Sequence, residues 1–570
     1  MTEAEDFLVN IQGFLQKDVN LSELNARLKT KTGIAEFFGT IQEFEAFKKF
    51  VSDVHLNLNE NQDMGDFQTP LPLANQVCGY LVKQGLNPDI IIEPTCGKGN
   101  FIISALKSFS ALKYIYCVEL QKQYEWLFKL NLLHFASEKD INVNIEFHLD
   151  NIFTHQFSNS LMQVLDSSAP EFLIIGNPPW ITNSELSILN STNVPTKSNV
   201  KRVRGIEAIT GKGNFDIAEY IITRMIRQFS YRKGKIAMLC KTSVIRNIMK
   251  DLQKLDLNLA NINTIVIDAK KEFNINADAC LFLAEIGVKQ DKVCTISSLH
   301  QPTNPSKKFG WVGDRFVSDI EKYKHYQYLD GQSHLIWRQG VKHDAMKVLI
   351  LTMSNNTLLN GFQEEVEIEK DLLFPFLKGS ELRTPVIKES NKKIIVTQTV
   401  LKEATDYIAV KFPQLWNYLT RHASILDGRK SVIYKGRPRF SIFGIGDYAF
   451  KPYKIAISGF YKNPVFSLIV PIENRPVMLD DTSYYLFFDK FQDAFFNWVL
   501  LSLESTKEFL SSIIFLDSKR PYTKDSLMRL DLGKLAKTLS FDVVLDFYQK
   551  NLRKYAELEF DETLYSAYFQ

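Results

Sequence analysis

The sequence predicts an α/β fold: a seven-stranded doubly wound sheet, with an N-terminal helical extension and a C-terminal α+β domain. Three observations predict it. Seven short apolar runs between Ile90 and Ile286 alternate, for the most part, with helix-like stretches, the pattern of a parallel or mixed sheet covered on both faces. Ahead of them, apolar residues recur at three- and four-residue steps, the spacing of amphipathic helix. After roughly residue 300 the alternation gives way to short β-like segments punctuated by Gly and Pro. At 570 residues the chain is too long for one core. Three regions are therefore expected, 1–60, 61–300 and 301–570.

The first region has Phe7, Ile11, Phe14 and Leu15, then Ile34, Phe37, Phe38, Ile41, Phe44, Phe47 and Val51 at helical spacing, with no proline. The polar stretch Asn57 to Asp66 reads as a linker. The seven strand candidates are Ile90–Ile92, Tyr114–Val118, Val143–Leu149, Phe172–Ile175, Lys235–Cys240, Ile262–Ile267 and Ala279–Ile286. Only Asp268 to Asp278 separates the last two, with no obvious helix, so a hairpin with an antiparallel strand at the far end of the sheet is expected. Beyond residue 300, FPFLKGSEL, KIIVTQT, SIFGIG and KIAISGFY read as strands, and Phe491–Ser512 and Phe541–Leu558 as helices.

Composition narrows the class. Hydrophobic residues make up 45% and charged residues 23%, with a formal net charge of +3, which is ordinary for a soluble globular protein. The six cysteines form no CxxC pair and no Cys/His cluster at metal spacing, so no metal site is expected and a reducing cytoplasm fits best. The acidic N-terminus MTEAEDFLVN lacks the features of a signal peptide. No apolar run approaches bilayer length, so no membrane partner is expected.

The chemistry lies at the ends of four consecutive runs. The first ends in EPTCGKGNF, Glu93 to Phe101: a strand, Gly97 and Gly99 in a tight turn, then an apolar helix. Such a turn brings backbone close to a bound nucleotide. It lacks the Gly-Lys-Ser/Thr ending of a phosphate-binding loop, and Glu93 directly before it repels phosphate and suits a cation. The second run ends in Glu119, placed to accept hydrogen bonds from ribose hydroxyls. The third ends in HLDNIF, with Asp150 placed to meet an adenine amine. The fourth leaves the sheet through Asn177-Pro178-Pro179-Trp180. Proline cannot continue a central strand, so this tetrapeptide lies just beyond the carboxyl edge, where open α/β sheets bind ligands.

In order along the chain, DFQTP, EPTCGKGNF, NPPW and a long C-terminal region resemble the gamma-type DNA adenine-N6 methyltransferases. This is a class I S-adenosylmethionine-dependent group of restriction–modification type, and it includes the Taq adenine methyltransferase. The resemblance covers about residues 64–290. Less specifically, PFLKGSELR, RPRFSIFGIGDYAFKPYKIAISG, LDDTSYYL and DSKRPYTKDSL look like the recognition region of larger members.

The resemblance implies transfer of the methyl group of S-adenosylmethionine to the N6 amine of an adenine flipped out of double-stranded DNA. It implies Asn177, Pro178, Trp180 and Phe273 as catalytic residues. Thr69, Glu93, Pro94, Thr95, Cys96, Gly97, Gly99, Glu119, Asp150 and Pro179 are implied at the cofactor. The adenine amine is a poor nucleophile, because its lone pair is delocalised into the ring. The Asn177 side-chain oxygen and the Pro178 carbonyl accept its two hydrogens, and the prolines preorganise both acceptors. Trp180 and Phe273 are expected to sandwich the base. Asn151 follows Asp150 where some members carry a phenylalanine that stacks on the cofactor.

Two basic segments are expected at the DNA. Between Asn183 and Asn214, Lys201, Arg202 and Arg204 lie in a long polar stretch, and so long a loop beside a site is usually functional. From Asp427 to Lys454 there are seven basic residues against two acidic ones, with aromatics interleaved. Arg437 and Arg439 are the expected phosphate contacts there. Beyond DNA, a cognate restriction endonuclease or defence-system subunits are the expected partners. Two other readings share the motif: amino-methylation of RNA or of a protein glutamine, and a non-catalytic DNA-binding subunit on the same fold.

Overall fold

A computed structural model describes residues 20–53, 67–167, 170–182, 216–288, 290–299, 307–551 and 560–569. It divides the chain into two units, Met1–Phe316 and Val317–Gln570.

In the first unit, helices α1 (Leu21–Thr32), α2 (Ile41–Asp53) and α3 (Leu71–Lys83) precede the sheet. The sheet then alternates with helices: β1 (Ile90–Glu93), α4 (Asn100–Ser108), β2 (Tyr114–Glu119), α5 (Lys122–Glu138), β3 (Asn144–Leu149), α6 (Asn159–Asp166) and β4 (Phe172–Gly176). It continues with α7 (Ile217–Gln228), β5 (Gly234–Lys241), α8 (Thr242–Asp251), β6 (Leu259–Ile267), α9 (Ala269–Phe273) and β7 (Ala279–Ile286). The strands β8 (Val293–Ser298), β9 (Lys307–Val312) and β10 (Arg315–Val317) follow.

The strand order is β10-β9-β8-β6-β7-β5-β4-β1-β2-β3. Strands β1 to β5 are mutually parallel, because each returns through a helix. β1, β2 and β4 are buried along their whole length, as unbroken apolar runs covered on both faces must be. The order reverses between β1 and β4, and a crevice opens there beyond the carboxyl ends.

Three features differ from expectation. The segment between β6 and β7 contains a short helix, α9, capped by Asp268, whose carboxylate accepts from the Lys270 and Lys271 N–H groups. Antiparallel β7 lies between β5 and β6 rather than at the far end. Its run ACLFLAEI is nearly all buried, whereas β6 alternates, so β7 takes the interior place. The sheet also continues past the seven expected strands: β8 pairs with β6 and β9 with β8. The expected break at residue 300 therefore falls within the sheet, and pairing carries the first unit to Phe316.

Helices α1 and α2 share the core of the sheet. Phe37, Phe38 and Phe47 are fully buried in the same apolar cluster as Phe128 of α5 and Ile115 of β2. Ile34 bridges to Ile145 of β3 in parallel, and the Ile145 N–H donates to the Gly33 carbonyl at 3.0 Å. The outermost strand thus has a partner on its open side.

The second unit is α+β. One five-stranded sheet runs in the order 338–339, 483–488, 453–458, 467–469, 386–387. The other runs 357–359, 350–354, 392–395, 373–377, 478–479. The expected helix Phe491–Ser512 is two, Phe491–Ser502 and Glu504–Ile513, broken at Leu503. The last expected helix is described as Phe541–Asn551. Among the described residues no helix is long and apolar enough to cross a membrane.

Candidate active site

The carboxyl ends of β1 to β4 deliver Glu93, Glu119, Asp150 and Asn177 to the wall of one cavity of about 400 Å³. Parallel pairing in register does this: Glu93 lies opposite Cys117, and the Asp150 N–H donates to the Glu119 carbonyl at 2.8 Å. Thr69, Pro94, Thr95, Cys96, Gly97 and Pro179 line the same cavity. Gly99, Pro178, Trp180 and Phe273 do not line it.

The turn after β1 is held by both glycines. Gly97 (φ 51°) and Gly99 (φ 79°) are left-handed, where a side chain is strained. A Cβ on Gly97 would lie 2.3 Å from the Gln68 Oε1, and one on Gly99 would lie 2.1 Å from the ring of buried Phe128. The turn in turn binds Glu119. The Gly97 N–H donates to Oε2 and the Gln121 N–H to Oε1, both at 2.8 Å. The FQTP segment is strapped over this turn, because the Lys98 N–H donates to the Gln68 side chain and the Asn100 amide donates to the Thr69 carbonyl.

Asn177 is oriented by its own amide. Its Nδ2 donates to the Phe67 carbonyl at 2.7 Å, while Oδ1 is buried without a partner among the described residues. An amide has one donor end and one acceptor end, so anchoring the donor leaves the acceptor for a ligand. Beside it, Trp180 is 4% exposed. Its ring meets Phe273 edge-on at 5.1 Å and Phe67 at 6.0 Å. A base held between two faces needs about 7 Å between ring planes, twice a carbon–carbon contact. With centroids 5.1 Å apart, the expected sandwich therefore requires these rings to move apart as well as turn.

The cavity is acidic. Among the described residues its lining includes Glu93, Glu119 and Asp150 and no lysine or arginine. Burial, then Cys117 and Glu119, pushes the Glu93 carboxyl well above the usual range, and its Oε2 has no partner. The Thr95 Oγ1 is also buried and unpartnered. Three bare polar atoms (Glu93 Oε2, Thr95 Oγ1 and Asn177 Oδ1) in one acidic cavity fit a polar ligand with a cationic group and no phosphate. The Asp150 carboxyl, by contrast, is held below the usual range, first by its hydrogen bond to His155.

The raised Glu93 value has a stability consequence. The folded chain keeps this proton while the unfolded chain loses it near pH 4.5. The contribution is thus full below that pH and is lost as pH rises through the folded value. Glu93→Gln should remove this loss, so that the melting temperature of the ligand-free variant falls less steeply with pH than that of the parent. Parallel curves across neutral pH would show that Glu93 is already ionised in the fold.

Sequence reasoning missed several residues that line the cavity. Gln68, Asn100 and Tyr124 come from helices and loops above the turn, and Ile217 and Ile221 from α7. Phe153 also lines it, so an aromatic is present two places after Asn151. Lys241, at the end of β5, was missed as well. Its Nζ donates to the Trp180 carbonyl at 2.7 Å and pairs with Asp216 at 2.9 Å. Lys241 follows the expected strand Lys235–Cys240, but it stands 61 residues from Trp180 and no sequence signal joins the two.

Lys201, Arg202 and Arg204 lie outside the described residues. The second basic stretch is partly internal. Arg429 donates to the His343, Leu426 and Ser441 carbonyls and stacks on Tyr434. Lys454 is buried, which lowers it to about 7, and Lys451 pairs with Asp489. Arg439 is exposed and pairs with Asp427 at 3.0 Å, and Arg437 lies over the Phe443 ring.

The model of the N-6 DNA Methylase family matches residues 46–346. The chain is 41% identical over 480 residues to the Type II methyltransferase M.NspV of Nostoc sp. (strain ATCC 29411 / PCC 7524), covering 84% of this chain and 98% of that protein. Among solved structures it is similar to the Type IIL restriction–modification enzyme MmeI in complex with DNA. That match has 12% identity and a TM-score of 0.48, over 88% of this chain and 75% of the other. It is also similar to the DrdV–DNA complex, with 11% identity and a TM-score of 0.46, over 93% and 64%.

Proposed function

The chain belongs to the N-6 DNA methylase family, and from that premise we propose that it is a site-specific adenine-N6 DNA methyltransferase of the restriction–modification type, using S-adenosylmethionine. The observation that carries this reading is Asn177. It stands at the end of β4 with its donor anchored to the Phe67 carbonyl and its acceptor bare, beside an acidic cavity.

The residues present fit the cofactor. Glu93, Thr95 and the Gly97 turn would hold its methionine and ribose end, Glu119 the ribose and Asp150 the adenine amine. A cation beside Glu93 would favour its ionised form, and a described lining with acidic and no basic side chains suits a positively charged ligand without phosphate. When bound, the cofactor supplies an electrophilic methyl group on a sulfonium.

The chain's own contribution is positional. Asn177 Oδ1 and the Pro178 carbonyl accept the two hydrogens of the target amine and favour a pyramidal nitrogen with its lone pair free. Anchoring of the Asn177 amide at the Phe67 carbonyl supports an acceptor oriented before the base arrives, which leaves less reorganisation for the reaction. Lys241 pins the Trp180 carbonyl, and with it the far end of the NPPW turn. Trp180 and Phe273 offer faces to the extruded base once the rings have separated and turned. The test is mass spectrometry of nucleosides from duplex DNA incubated with the protein and S-adenosylmethionine. N6-methyladenine is expected; N4-methylcytosine, or label only in RNA or protein, would overturn the reading.

The second unit, on this reading, recognises the DNA sequence. Of its basic stretch, Arg437 and Arg439 are proposed to meet phosphates, with Arg439 exchanging Asp427 for DNA. Replacing both by glutamine should flatten the dependence of log affinity on log salt by about 0.9 for each phosphate left without its arginine. Fluorescence anisotropy across a salt series measures it. An unaltered slope would make the stretch a solvated surface.

A further inference from the structure

Asp150 is one end of a buried chain of hydrogen bonds. Its Oδ2 lies 2.6 Å from the His155 Nδ1, and the His155 Nε2 lies 2.7 Å from the Tyr116 Oη. The Tyr116 oxygen also accepts the Ser158 N–H at 3.3 Å. The environment changes along it: the His155 side chain is 3% exposed and that of Asp150, at the end, 48%. His155 is held from a second side, because Arg224 of α7 donates to the Phe153 and His155 carbonyls. The imidazole therefore has a fixed place, and the carboxylate it touches faces the cavity.

The proton positions follow from the partners. An ionised carboxylate only accepts, so the His155 Nδ1 donates to Asp150. In the tautomer this sets, Nε2 accepts a hydrogen bond from the Tyr116 hydroxyl. Tyr116 is left accepting from the Ser158 N–H. Every member has a partner, the condition under which a buried network fixes one geometry. The Asp150 Oδ1 is tied to the Asn151 N–H at 2.7 Å. With one oxygen held by its own turn and the other by His155, the carboxylate of this cavity-lining residue is kept in one orientation.

We infer that His155, backed by Tyr116, is a positioning residue that aims the Asp150 carboxylate at the 6-amino group of the cofactor's adenine and so sets the preference for adenine over a 6-oxo purine. A 6-oxo group would put an acceptor against an acceptor that cannot turn away. This rests on the proposed cofactor reading. The sequence motif marks only Asp150, because the spacing Asp-x-x-x-x-His does not by itself show that the two side chains meet.

The test is calorimetric titration of the full chain with S-adenosylhomocysteine and with its hypoxanthine counterpart, S-inosylhomocysteine. The two ligands differ only at the purine 6-position and its adjacent ring proton, so a general loss of fold weakens both alike. The parent should prefer the adenine ligand by about tenfold or more, the scale of one hydrogen bond to a charged group. His155→Leu should shrink that preference to threefold or less, mainly by weakening the adenine ligand. His155→Asn, which keeps a donor near the Nδ1 position, should restore most of it. Tyr116→Phe, which removes one hydroxyl, should lower the preference partway and serves if His155→Leu does not fold. An undiminished preference in His155→Leu, or in Tyr116→Phe if only that variant folds, would overturn the inference. Failure of the parent to bind either ligand would instead overturn the cofactor reading.

Discussion

Asn177→Ala is expected to lower kcat by about 10²–10³-fold, the cost of removing one preorganised acceptor at a centre where charge develops, while cofactor and DNA still bind. The expectation follows from how the amide is used. Nδ2 is committed to the Phe67 carbonyl at 2.7 Å, and Oδ1 is buried with nothing to accept from. A bare buried acceptor costs free energy in the ligand-free protein, and alanine removes that cost. The variant should therefore melt no lower than the parent by much, and its defect should be confined to turnover. Asn177→Asp keeps an acceptor but turns an oxygen towards the Phe67 carbonyl, so it should not restore the rate. Single-turnover methylation of a short duplex, with titrations of each ligand, makes the measurement. A rate within tenfold of the parent would remove Asn177 from the chemistry.

Gly99→Ala is expected to have a large effect on folding. Two costs add. The left-handed φ of 79° costs a residue with a Cβ about 1–2 kcal/mol. The new Cβ would also lie 2.1 Å from the Phe128 Cδ2. Phe128 is fully buried and stacked on Phe147 at 5.2 Å, so it has little room to move, and overpacking costs about 1–3 kcal/mol more. The melting temperature should fall on the order of 10 °C. Gly85 provides the control: its φ is 81°, with nothing within 4 Å of a Cβ. Gly85→Ala should show the backbone cost alone. Equal melting temperatures for the two variants would mean that Phe128 yields without cost.

What was legible in the sequence was what topology alone dictates. Once β1 to β4 are parallel, their carboxyl ends share an edge, so Glu93, Glu119, Asp150 and Asn177 had to lie near one another. Side chains arriving from elsewhere were not legible. Ile217 and Ile221 reach the cavity because α7 crosses above it, and no local pattern announces a crossing. Arg429 shows the same limit for charge. Composition counts a guanidinium but cannot tell whether it faces water or three carbonyls. The place of β7 was recoverable, since an unbroken apolar run such as ACLFLAEI belongs in the interior of a sheet. The expectation of a far-end hairpin weighed the short connection and overlooked the run.

The bridge between Ile34 and Ile145 reaches beyond the fold of one molecule. An uncovered outer strand is a template on which a neighbouring chain can add its own strand. In this protein the covering segment lies within residues 20–53, and it is tied down by side chains as well as backbone: Glu43 holds both Lys122 and Lys129 of α5. The segment 20–53 thus covers an edge on which a second chain would otherwise find unpaired backbone. Trimming it away to isolate the catalytic sheet would bare β3 together with the seats of Phe37, Phe38 and Phe47, and the shortened protein would gather into aggregates before its chemistry could be assayed.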